Sequence, residues 1–105
     1  MNVVWAPRAL ERVREAAEYI GRDHPDAAQR WVDRLFARVE LLARAPAQGR
    51  MVPELGREDI REILFQRYRV IYRHEPKRVV ILTVRHGRQR FAAGEVLTLA
   101  KGDKP

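Results

Sequence analysis

The sequence contains no cysteine. Disulfides, cysteine–zinc sites and thiol chemistry are therefore excluded. Histidine is scarce: His24, His74 and His86 are the whole supply, too few and too scattered for a metal site. No metal and no cofactor are expected. No apolar run approaches the length of a membrane span, and no charged-then-apolar leader opens the chain. These absences lead us to expect a soluble cytoplasmic protein with no membrane partner. Internal repeats and low-complexity stretches are also missing.

What remains is ordinary globular material. The chain has 105 residues, 46% hydrophobic and 33% charged, which suits one folded domain over residues 1–105. The formal charge is +7, carried by 18 Arg and only 3 Lys. Residues 1–45 hold 8 basic and 7 acidic side chains, whereas residues 46–105 hold 13 and 7. Codon usage in a GC-rich genome would explain the arginines, but not their skew to one half. That skew points to a face meeting something acidic, nucleic acid or protein.

The periodicity changes along the chain. Asn2 to Trp5 suits a short opening strand. Pro7 fits the first turn of a helix, although Ala6 before it is a poor cap. Leu10, Val13, Ala17 and Ile20 then recur at helical spacing, and Gly21 closes the stretch. Pro25 and Asp26 open a second helix with its stripe at Ala28, Val32, Leu35, Val39 and Leu42. Pro46 stops it. The two helices should form an antiparallel hairpin over about residues 7–45.

From Gly49 the pattern turns strand-like. Arg50 to Leu55 reads as a short strand interrupted at Pro53. Ile60 to Phe65 and Tyr68 to Arg73 are separated only by Gln66-Arg67, as in a hairpin. Glu75-Pro76-Lys77-Arg78 makes a good turn. Val79 to Val84 is a continuous apolar run, as in a strand covered on both faces. The expected fold is α+β: an N-terminal helical hairpin packed on a small antiparallel sheet at about residues 50–90, with a short tail at 91–105.

The order of these pieces is itself informative. Trp5-Ala6-Pro7-Arg8-Ala9 enters the first helix and His24-Pro25-Asp26-Ala27-Ala28 the second. Ala45-Pro46-Ala47-Gln48-Gly49-Arg50 and Val52-Pro53-Glu54-Leu55 follow. Ile60-Arg61-Glu62-Ile63, Tyr68-Arg69-Val70-Ile71-Tyr72 and Thr83-Val84-Arg85-His86-Gly87-Arg88 complete the series. This succession, over about residues 3–90, resembles the RelE/ParE toxins, also called plasmid-stabilisation proteins, of type II toxin–antitoxin systems. The resemblance implies a small cytoplasmic toxin held inactive by a cognate antitoxin, with room for higher-order toxin–antitoxin assembly. Two activities share that fold. ParE-like members inhibit DNA gyrase. RelE-like members are endoribonucleases that cut mRNA on the ribosome. His86 is followed here by Gly87 rather than tyrosine, and lysine occurs only at Lys77, Lys101 and Lys104. Those features favour the ParE-like branch, with the nuclease as the alternative.

A metal-independent nuclease needs a base, an acid and cations around the phosphate. Glu54 as base, His86 as acid and Arg61 as a phosphate clamp would fill those roles. Arg69, Arg85, Arg88 and Arg90 are the candidates for binding a target, in a segment (residues 61–90) with 9 basic and 2 acidic residues. Each candidate also has a structural alternative. Glu54 can pair with a neighbouring arginine, Arg61 can join a cross-strand ion pair, and His86 can be a hydrogen-bonded core-edge residue. Tyr68 and Tyr72 share a strand face and suit the core, as do Trp5 and Trp31.

Overall fold

The computed structural model describes residues 1–87 together with Gly94, Glu95, Leu97 and Thr98. The elements run β1 (Asn2–Trp5), α1 (Pro7–Gly21), α2 (Pro25–Glu40), a 3-10 turn (Leu41–Ala43), β2 (Arg50–Met51), β3 (Ile60–Phe65), β4 (Tyr68–His74) and β5 (Arg78–His86). Both helices begin with proline in the first turn, and neither N-cap makes a side-chain hydrogen bond. Gly21 is the last residue of α1. A Cβ there would lie 3.3 Å from the Ala28 Cβ, so two small residues let the helices meet closely.

The strands form one sheet in the order β1-β5-β4-β3-β2. β2 to β5 are an antiparallel meander, as expected. β1 departs from the all-antiparallel expectation, because it pairs parallel with β5. A parallel pair needs a long crossover, and the whole helical hairpin and meander supply one. The result covers the outer edge of β5, which would otherwise be an open template for pairing. β2 is shorter than expected. After Met51 the chain turns, with the Val52 carbonyl accepting from the N–H groups of Leu55 and Gly56 at 3.0 Å. Pro53 has no N–H to extend a ladder.

The sheet is buried on both faces. On one, Val13, Trp31, Leu35 and Val39 of the helices pack on Ile63, Val70, Tyr72 and Ile81. On the other, Ala6, Val52, Ile60, Ile71, Val80 and Leu82 form a smaller core with Leu55. This explains the apolar run Val79–Val84, broken only by the buried Thr83, which contributes to both cores.

A register shift between Ile71 and Tyr72 interrupts the β4–β5 ladder: Ile71 pairs Thr83, but Tyr72 pairs Ile81. The extra residue on β5 reverses the alternation beyond it. Val84 therefore joins the helix-facing core with Val79 and Ile81, and Arg85 falls on the opposite face.

Candidate functional site

The β3–β4 hairpin turns at Gln66-Arg67, with Gln66 at φ 54°. This left-handed value is uncommon for a residue with a Cβ, and two-residue hairpins require it. Beside the turn lies an open cavity of about 530 Å³, lined by Arg50, Glu54, Leu64, Arg67, Arg69 and His86 among others. Leu64 is 62% exposed at its rim.

Ion pairs make up much of the cavity wall. Glu62 is buried and accepts from Arg50 Nε and from Arg69 Nε, each at 2.6 Å. Arg69 is also buried, and the rest of its fork reaches Glu54: Nη1 to Oε2 at 2.9 Å, Nη2 to Oε1 at 2.8 Å. The hydrogen bonds from Arg69 hold the Glu54 carboxyl down at a pKa of about 2, against an opposing effect of burial and with smaller help from the nearby Arg50 charge. Glu54 and Glu62 in turn push the Arg69 guanidinium upward. Among the described residues, two carboxylates and two guanidiniums balance within this network. A carboxylate with so low a pKa is a weak base near neutral pH.

The sequence-predicted residues divide between the faces. Glu54, Arg69 and His86 line the same cavity. Arg61 does not join them: it pairs with Tyr72 in the ladder, on the helix-facing side, and Nη1 donates to the Gly49 carbonyl at 2.8 Å. Arg69 is a target-binding candidate in sequence, yet its donors are turned to carboxylates inside the protein. Arg85 stands opposite Arg69 in the β4–β5 ladder, and its Nη1 meets Glu95 Oε1 at 2.8 Å. Arg88 and Arg90 lie outside the described residues.

His86 stands where two cavities meet. Its ring packs edge-on against Tyr68 at 5.6 Å, and Tyr68 packs edge-on against Trp31 at 5.1 Å. Burial raises the Tyr68 pKa, with a smaller contribution from Tyr19. Tyr19, Trp31, Arg67, Tyr68 and His86 share a second open cavity of about 600 Å³ on the helix side of the hairpin. Trp5 packs on Phe36 and Trp31 is buried, as a packing role requires. Among the described residues, no three His, Cys, Asp or Glu side chains are placed to hold a metal ion, and no helix is long and apolar enough to cross a membrane.

Sequence reasoning missed Glu62 as the centre of the network and Arg50 as its exposed arm. The available signal was an acidic residue within an apolar strand, since a buried carboxylate requires a cation beside it.

Two helices on one face of a five-stranded mixed sheet, with an arginine-lined cavity at the hairpin end, define an α+β protein with the architecture expected of the RelE/ParE class. Comparison with known proteins narrows this. The model of the ParE toxin of the type II toxin–antitoxin system parDE matches residues 3–91. "Putative toxin Y4kP" of Sinorhizobium fredii is 40% identical over 92 residues, covering 86% of this chain and 92% of that protein. A solved chain of the chromosomal ParDE toxin–antitoxin system from P. aeruginosa has the same fold, with a TM-score of 0.69 at 19% identity, over 82% of this chain and 95% of that one. The chain belongs to the ParE toxin family of type II toxin–antitoxin systems.

Proposed function

We propose that this toxin acts in the cytoplasm by inhibiting DNA gyrase and is neutralised by a cognate antitoxin. One observation carries the choice of a binding toxin over a nuclease. Both oxygens of Glu54 are held by Arg69 at 2.8 and 2.9 Å, and Arg61 sits on the opposite face bonded to Gly49. A base near pKa 2, separated from its intended phosphate clamp, is poorly suited to 2′-hydroxyl attack. The same geometry suits a protein whose cavity walls are held rigid for recognition. On this reading the target meets the hairpin end, where the Arg67 side chain lines both cavities and supplies the recognising charge. Arg88 and Arg90 remain target-binding candidates on sequence grounds, and Arg69 serves to hold the wall.

The test uses the purified chain in two assays. Supercoiling by gyrase should be inhibited, and the inhibition should be relieved by the protein encoded beside the toxin. Translating extracts should show no new mRNA ends. Ribosome-dependent mRNA cuts with unaffected gyrase would overturn the proposal.

A further inference from the structure

The two cavities at the hairpin end have different walls. Beside Glu54 the polar groups are already matched in ion pairs. On the helix side, Tyr19, Gln66, Arg67 and Tyr68 line the cavity of about 600 Å³, and no carboxylate belongs to its lining. Among the described residues, none of these four side chains makes a hydrogen bond or an ion pair. Tyr19 is 70% exposed, and the Arg22 guanidinium carbon lies 5.8 Å from its ring centroid. Arg22 also has no ion-pair partner among the described residues. Gln66 adds a further sign. Its φ of 54° falls at a turn position that glycine fills most easily. A long amide held in a disfavoured conformation at the edge of a cavity points to a use for the amide.

We propose that this cavity binds a nucleotide, with the base against the rings of Tyr19 and Tyr68 and the phosphate on Arg67. Every nucleobase has a flat face, and stacking on an aromatic ring contributes about 1–3 kcal/mol per base. The edge of the base carries donors and acceptors for the two phenol hydroxyls and the Gln66 amide. Burial raises the Tyr68 pKa, so its hydroxyl stays protonated and able to donate. An aromatic side chain from another protein would fit the rings, but it would cover those polar groups without pairing them, which costs free energy. The guanidinium fork of Arg67 matches two phosphate oxygens, and no carboxylate of the chain occupies it. The volume lies within the range of about 300–1,000 Å³ usual for small-ligand cavities. A free mononucleotide and one unit of a single strand share this chemistry. The site does not rest on the gyrase reading, since a nucleotide alone probes it.

The experiment follows tryptophan emission of the full chain during titration with adenosine monophosphate at fixed ionic strength. Trp31 lines the cavity and reports binding, whereas Trp5 packs on Phe36 outside the lining and supplies a constant background. Saturable quenching is expected. Tyr19→Ala should weaken binding about tenfold, as loss of one stacking ring does, and Tyr19→Phe should restore most of it. Arg67→Gln should also cost about tenfold, through loss of a charged donor. Arg57→Gln should change nothing, because Arg57 pairs with Asp59 and is not in the lining. Gln66→Gly keeps the fold, since glycine accepts the left-handed φ, yet should weaken binding several-fold. Tighter binding of a short single-stranded oligoadenylate assigns the site to a nucleic-acid strand. Equal binding assigns it to the free nucleotide, and both results uphold the nucleotide chemistry. Unsaturable quenching, binding indifferent to Tyr19→Ala and Gln66→Gly, or equal losses from Arg57→Gln and Arg67→Gln would each overturn it. So would an acidic phenylalanine peptide that binds where adenosine monophosphate does not.

Discussion

Arg69 holds Glu54 with both terminal nitrogens of its guanidinium while its Nε holds Glu62. One side chain thereby satisfies two carboxylates from separate parts of the chain. Glu62 comes from the middle of β3, and Glu54 from the turn after β2. Arg69 therefore fixes the turn against the sheet, and the cavity wall depends on it.

The first prediction concerns that dependence. Arg69→Met leaves Glu62 buried with, among the described residues, the exposed Arg50 as its remaining ion-pair partner. Breaking a buried pair by removing one partner costs about 3–5 kcal/mol. In a domain of this size that lowers Tm by more than about 10 °C. Arg50→Met should cost much less, because its side chain is 63% exposed. Urea denaturation of the two variants checks the ranking. Equal losses would mean that Arg69 holds Glu62 no more strongly than Arg50 does.

A second prediction follows from acid titration of Glu54. Its folded pKa is about 2, below the ordinary value of 4.5. A depressed carboxylate stabilises the fold fully above its unfolded pKa and loses that contribution as pH falls towards the folded one. Stability should therefore decline between about pH 4.5 and pH 2. Glu75, lowered chiefly by the hydrogen bond from Arg78, contributes to the same decline. Glu54→Gln should shrink the pH dependence in that window without abolishing it. A series of melts from pH 5 to pH 2 on both proteins provides the comparison.

Much of this arrangement could be read before the coordinates, and the reasons differ by element. The α2 stripe ending at Leu42 is legible because its period is long and regular, and Trp31, Leu35, Val39 and Leu42 are all buried. The run Val79–Val84 declares a strand with two covered faces. The side of Arg61 was not legible. β3 has apolar residues at both alternations, Ile60 on one face and Ile63 on the other, so its pattern does not assign a face. The bulge opposite Ile71/Tyr72 carries no local motif, yet it decides where Arg85 points. Pairing of Glu54 with Arg69 spans 15 residues and depends on the turn after β2, which periodicity does not describe.

Tyr72 supplies a third prediction. Its hydroxyl accepts from the Gly49 N–H at 3.0 Å and donates to the Pro46 carbonyl at 2.7 Å. These bonds fasten the segment between α2 and β2 to the buried face of the sheet. Burial raises the phenol's pKa, so the hydroxyl stays protonated and able to donate. Tyr72→Phe leaves both backbone groups short of a partner and should cost about 1–3 kcal/mol. Gly49→Ala should be at least as harmful. Its Cβ would lie 2.6 Å from both the Glu62 carbonyl oxygen and the Tyr72 hydroxyl, too close without moving backbone. A Gly49→Ala protein as stable as the parent would show that this segment can shift freely.

The last prediction separates the two toxin activities by mutation rather than by assay. If the protein works by binding, Glu54→Gln and His86→Ala should both keep their ability to arrest growth. Glu54→Gln retains the shape of the side chain and one acceptor for Arg69, so the cavity wall persists while any acid–base function is lost. His86→Ala removes the ring that packs on Tyr68 but opens no buried core, because His86 lies at the end of β5 between two open cavities. Loss of general acid–base catalysis typically lowers a rate by about 10²–10⁴-fold, a deficit that a growth assay detects readily. Arg67→Ala should behave in the opposite way. It removes an arginine that lines both cavities and should weaken target inhibition without altering the fold. Growth arrest abolished by Glu54→Gln and His86→Ala, yet untouched by Arg67→Ala, would assign the cavity to catalysis instead of recognition.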